Sequence, residues 1–124
     1  MNFGNIFKSE ADLAALNEGF IPYYAAVAKT SIPAEGKAGG WMVQAMYLSM
    51  GTRHDYHGAL KSVKAPVLVI HGANDLQPEK ASRNYADSFS NSRFVVIENA
   101  AHFSFNDQPE KFSAVTGEFL SGLK

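Results

Sequence analysis

The chain has 124 residues, 46% hydrophobic and 19% charged, which is one domain's worth of sequence, apolar enough for a core and too apolar for a disordered segment. Eleven basic residues against twelve acidic ones leave a net charge of −1. That balance excludes the electrostatic footprint of a general nucleic-acid binder and the polybasic patch of an anionic membrane surface. Cysteine is absent, so disulfides, thiolate metal sites and cysteine nucleophiles are excluded.

Residues 1–15 show no apolar core of a secretory signal, and no run approaches the roughly 18 apolar residues of a spanning helix. The expected location is the cytoplasm. Composition shifts near residue 58, which separates a mostly helical segment, 1–58, from a more regular one, 59–124, within a single compact domain.

Ser9 to Asp12 has the spacing of a capping box, a hydroxyl three residues before a carboxylate. Leu13, Leu16 and Phe20 then share one helical face, and Ile21, Tyr24, Ala25 and Ala28 continue it past a break at Pro22. Loop signals follow at Ser31 to Pro33 and Gly36 to Gly40. Trp41 to Met50 is apolar all round, which predicts a helix packed inward on more than one side.

Pro66 to Ile70 is a continuous apolar run ended by His71 and Gly72, the pattern of a parallel strand buried on both faces. Pro78 suits the first turn of a helix that carries Ala81, Tyr85 and Phe89 inward, with Asn91 closing it. Arg93 to Ile97 is a second strand. Asp107 reads as the cap of a final helix with Glu110 three residues on, and Phe112, Val115, Phe119 and Leu123 form its apolar stripe. Strand, helix, strand, helix predicts an α/β unit with parallel strands and a right-handed crossover.

In open α/β sheets, chemistry gathers at the carboxyl ends of the strands. Here the two strands deliver Asp75 and His102, 27 residues apart, to the same sheet edge. A carboxylate there can accept a hydrogen bond from the imidazole, fix its tautomer and stabilise its cation. Those are the second and third parts of a nucleophile–His–acid triad.

These residues resemble the C-terminal part of an α/β-hydrolase of the proline iminopeptidase-like branch. The matching stretches are Val63 to Asp75, Phe94 to Phe103 and Gln108 to Phe112, with Asp75-Leu76-Gln77-Pro78 in that branch's flavour. The resemblance implies a partial α/β-hydrolase fold, with 1–58 as a helical cap-like segment and 59–124 as the C-terminal core portion. It makes Asp75 the triad acid and His102 the triad base, with no metal or organic cofactor. Ala101 stands where the family usually has Gly.

The family's nucleophile elbow, G-x-S-x-G, does not occur. Tyr47 to Gly51 is a half-match around Ser49, but Tyr47 would crowd the tight turn, and Ser49 reads as a helix serine. His54 and His57 flank Asp55 in a pattern open to a metal site or a solvated turn; the turn is the expected reading. His71 before Gly72 is expected to be structural. Trp41, Met42, Met46 and Met50 are expected in the core, or else lining a substrate pocket under the cap.

Two functions are therefore expected. One is the acid–base portion of an ester or amide hydrolase, acting on N-terminal proline peptides in its relatives and inactive alone, with a complementary N-terminal hydrolase portion as partner. The other is a non-catalytic binding or assembly module. A two-stranded sheet leaves both edges open, which further predicts a homodimer or higher oligomer.

Overall fold

A computed structural model of the chain describes residues 4, 7–19, 40–51 and 55–123. They form two compact units, one within residues 4–51 and one spanning 55–123.

The first unit holds α1 (Glu10–Glu18) and α2 (Trp41–Met50). The capping box at the start of α1 forms as the sequence requires. Ser9 Oγ accepts from Asp12 N at 3.2 Å, and Asp12 Oδ2 accepts from Ser9 N at 3.3 Å. Two backbone donors that a helix start would orphan are thereby satisfied. Leu13 is fully buried, whereas Leu16 is exposed; Phe20, Pro22 and the continued stripe through Ala28 lie outside the described residues. Gly40, the residue before α2, has no side chain to cap it. Glu10 takes that role, its Oε2 accepting from Trp41 N at 2.6 Å.

The inward packing expected of α2 is not found. None of its residues is buried, and Met42, at 78% exposed, and Met46, Tyr47 and Leu48, each about half exposed, face outward. Apolar composition alone did not specify a partner for each side of the helix.

The second unit runs α3 (His57–Leu60), β1 (Val67–Gly72), α4 (Glu79–Ala86), β2 (Ser92–Ile97), α5 (Ser104–Asp107) and α6 (Pro109–Ser121). β1 and β2 pair in parallel, in register from Val67 with Ser92 to Gly72 with Ile97. β1 extends two residues further than the apolar run predicts, through His71 and Gly72. Val67 to Ile70 are half-buried rather than buried on both faces. Full burial needs a layer along the whole of each face, and α4 is the helix packed along both strands.

α4 also sits rotated from the expected face. Pro78 is its cap, with extended backbone, rather than a member of its first turn. Ala81 and Tyr85 are exposed, and the inward line is Ser82, Ala86 and Phe89. Both lines have helical spacing. The observed one turns Ser82 and Ala86 inward and brings Ser82 Oγ within 3.1 Å of buried His71 Nδ1. Tyr85 stays outside, edge-on to Phe89. His71 is thus structural, as expected, and stacks near Phe94.

α6 begins at Pro109, a first-turn position that needs no N–H. Its cap residue is Gln108, not Asp107 as expected, and no side chain caps it. Phe112, Val115 and Phe119 are half-buried as the stripe predicts, whereas Leu123 is exposed. An ion pair between Arg93 and Glu118, 2.9 Å apart, ties α6 to β2. Among the described residues no helix is long and apolar enough to cross a membrane.

Candidate active site

The carboxyl ends of β1 and β2 carry the site. Past Gly72 the chain stays bonded to its neighbour: Ala73 N donates to Ile97 O at 3.0 Å and Asn74 N to Ala100 O at 2.8 Å. Asp75 N then turns back to Gly72 O at 2.9 Å. The turn is closed by Asp75 itself, whose Oδ1 accepts from Gln77 N at 3.0 Å. One carboxylate oxygen is thereby spoken for by backbone, and the group is held in one orientation.

The other oxygen meets the imidazole. His102 Nδ1 lies 2.9 Å from Asp75 Oδ2 and 3.3 Å from Oδ1. The Asp75 side chain is 8% exposed and that of His102 36%. The carboxylate is sheltered from water and the imidazole reaches the surface. A sheltered carboxylate that only accepts forces the neutral ring to carry its proton on Nδ1. That leaves Nε2, on the far side of the ring, with the electron pair a base uses.

The loop that delivers His102 is tightly built. Asn99 takes the left-handed backbone region, φ 59°, which asparagine tolerates better than most residues. Among the described non-glycine residues it alone has positive φ, so Ala101 does not need the conformational freedom of the family's glycine. Ala100 and Ala101 are both buried. Gly72 packs directly against their backbone, where a Cβ would fall 2.6 Å from Ala100 O.

The remaining candidates do not join this pair. Ser49 lies within α2, its Oγ donating to Met46 O at 2.8 Å; an elbow requires a strand, a sharp turn and a helix, and Tyr47 to Met50 are helical. His57 Nδ1 contacts Asp55 Oδ1 at 2.5 Å, with both side chains well exposed. His54 lies outside the described residues. Among the described residues no three or more His, Cys, Asp or Glu side chains group to hold a metal ion. Met42 and Met46 are exposed rather than in the core.

Sequence reasoning missed Asp107 and Gln108. Asp107 Oδ2 accepts from Ala101 N at 2.6 Å, and Gln108 Nε2 donates to Asn99 O at 3.1 Å. The one available signal was a polar pair soon after the histidine, and it reads equally well as a helix cap.

Comparison with solved structures gives a crystal structure of MGS-MChE2, an α/β-hydrolase enzyme from a metagenome of Mar Chica lagoon sediments, Morocco. It matches 67% of this chain and 38% of its own, at a TM-score of 0.57 and 19% identity. The chain has part of the α/β-hydrolase fold. Sequence relatives point the same way. A candidate non-heme bromoperoxidase, BpoC of Mycobacterium tuberculosis (strain H37Rv), is 34% identical over 53% of this chain and 26% of its own length. Proline iminopeptidase of Lactobacillus acidophilus is 26% identical over 90% of this chain and 42% of its own. Pimeloyl-[acyl-carrier protein] methyl ester esterase of Neisseria meningitidis serogroup C is 31% identical over 61% of this chain and 30% of its own. The chain thus spans less than half the length of these curated relatives. No family model matches it.

Proposed function

We propose that this chain supplies the acid–base portion of an α/β-hydrolase site, with Asp75 as orienting acid and His102 as general base. The observation that carries the reading is the 2.9 Å contact between His102 Nδ1 and the sheltered Asp75 carboxylate. The substrate is an ester or amide, with N-terminal proline peptides as the finer assignment, supported by similarity to proline iminopeptidase. The nucleophile is a hydroxyl outside this sequence. His102 Nε2 removes its proton as it attacks the carbonyl carbon, and the resulting imidazolium returns that proton to the leaving group. Asp75 stabilises the cation between these steps. Attack also needs hydrogen-bond donors for the developing oxyanion, which lie with the nucleophile.

The test is turnover of p-nitrophenyl acetate and proline p-nitroanilide. The chain alone is expected to match His102→Ala. Added to an N-terminal hydrolase portion bearing an elbow serine, it is expected to restore turnover that His102→Ala abolishes. Failure with several such portions overturns the reading, and His102-dependent turnover by the chain alone overturns the external nucleophile.

A second reading, a self-associating module without catalysis, is favoured by the two-stranded sheet among the described residues and by the outward apolar side chains of α2. Open strand edges and apolar surface both recruit a second copy. Light scattering at micromolar concentration is expected to give a homodimer mass or larger; a monomer would end this reading.

A further inference from the structure

We propose that Asp107 is a positioning residue for His102, holding the loop that sets the imidazole against Asp75. The proposal rests on the acid–base reading above and deepens it. Asp107 ends α5, directly before the cap of α6. An aspartate there commonly bonds to nearby helix N–H groups. This one forgoes the local bond, leaving α6 without a side-chain cap. Its Oδ2 reaches back to Ala101 N at 2.6 Å, one peptide from His102. Its Oδ1 is buried and has no hydrogen-bond partner among the described residues. A carboxylate oxygen so placed is costly, so the group is committed to the loop rather than resting on the surface.

Two other holds on this loop come just before Ala101 N in the chain. Gln108 Nε2 grips Asn99 O at 3.1 Å, and Asn74 N grips Ala100 O at 2.8 Å. Both act on carbonyls. Asp107 takes the N–H of the residue that leads into His102. Sites of this kind tolerate displacements of only about 0.5 Å. Without the Asp107 contact the 100–101 peptide keeps only the hydrogen bond at its carbonyl, and the Nδ1 to Oδ2 distance of 2.9 Å is expected to open.

Stability alone would not report this role, because any buried substitution lowers it. The tautomer of His102 does report it. Held by Asp75, the neutral ring keeps its proton on Nδ1; released to water, it takes up the Nε2–H form that free histidine favours. The experiment is nitrogen-15 NMR of the whole chain at a pH where imidazole is neutral, on the wild type, Asp75→Asn, Asp107→Ala, Asp107→Ser and Asp107→Asn. The wild type is expected to show Nδ1–H, and Asp75→Asn to lose it. Asp107→Ala and Asp107→Ser are expected to lower the Nδ1–H fraction at least two-fold. Asp107→Asn, which retains an acceptor for Ala101 N, is expected to rescue it. A wild-type fraction in either folded Ala or Ser variant overturns the positioning role while leaving the Asp75–His102 pair standing. A wild type without Nδ1–H overturns the pair itself, and this proposal with it. Amide exchange of Ala101 in the wild type supplies a reading that needs no variant: protection is expected, and exchange as fast as an open loop overturns the proposal.

Discussion

Gly72 stands where β1 meets the loop carrying His102, and it shows how little room the site leaves. A methyl group there would lie 2.6 Å from Ala100 O and 2.8 Å from Ala100 C, both rigid backbone atoms. Gly72→Ala must push the 100–101 loop away. The expected cost is about 1–3 kcal/mol, as for overpacking a close-packed interior, read as a lower urea midpoint. The same shift is expected to separate His102 from Asp75, so the Nδ1–H signal should weaken in whatever fraction remains folded. Asp75 and His102 were legible because each follows an apolar run at a strand end. Gly72 and Asp107 were not, since their importance lies in contacts with residues distant in sequence. Asp107 in particular has the spacing of a helix cap, and the chain uses it otherwise.

The start of α1 is the element whose pH behaviour can be argued most directly. The Ser9 hydroxyl holds the Asp12 carboxyl below its ordinary value of 3.8, helped by the Ser9 backbone N–H and by Lys8, against a small opposing effect of burial. A carboxyl so lowered is ionised in the folded state where the unfolded chain has begun to bind protons. Its contribution is present above the ordinary value and is lost as pH falls through the lowered one. Helicity of α1 is therefore expected to fall below about pH 4, and backbone chemical shifts of residues 10–18 would follow it. Ser9→Ala is expected to cost about 1 kcal/mol of helix stability at neutral pH and to flatten the acid response. A response unchanged in Ser9→Ala would assign it elsewhere. Glu118, lowered by its hydrogen bond from Arg93 and then by that residue's charge, contributes over the same acid range. That pair is exposed and should fade with added salt. α4 marks the limit of element-level reading: two helical lines one residue apart were available. The fold turns Ser82 and Ala86 inward, where Ser82 meets His71.

At the scale of the whole molecule, α2 presents apolar side chains to its surroundings. Met42 and Met46 stand one turn apart and both are exposed. If this face joins copies of the chain, Met42→Glu with Met46→Glu is expected to keep the helical circular dichroism, since glutamate is a good helix former. The same change is expected to weaken self-association at least ten-fold by concentration-dependent light scattering. An oligomer mass unchanged in the double variant would place the contact on the sheet edges instead. The relatives and the crystal neighbour support the α/β-hydrolase assignment of fold. They differ in named activity, so the shared fold does not fix substrate choice.

The sequence by itself determined the capping box, both parallel strands, the helix between them and the arrival of Asp75 and His102 at one sheet edge. Each follows from local pattern: hydroxyl and carboxylate spacing, apolar runs, and the rule that parallel neighbours present their carboxyl ends together. Only the tertiary structure decided that α4 turns Ser82 inward, that α2 shows Met42 and Met46 outward and that Asp107 reaches back to Ala101. These choices compare partners far apart in the chain, where burial and hydrogen bonding outweigh the preference any residue has for its near neighbours.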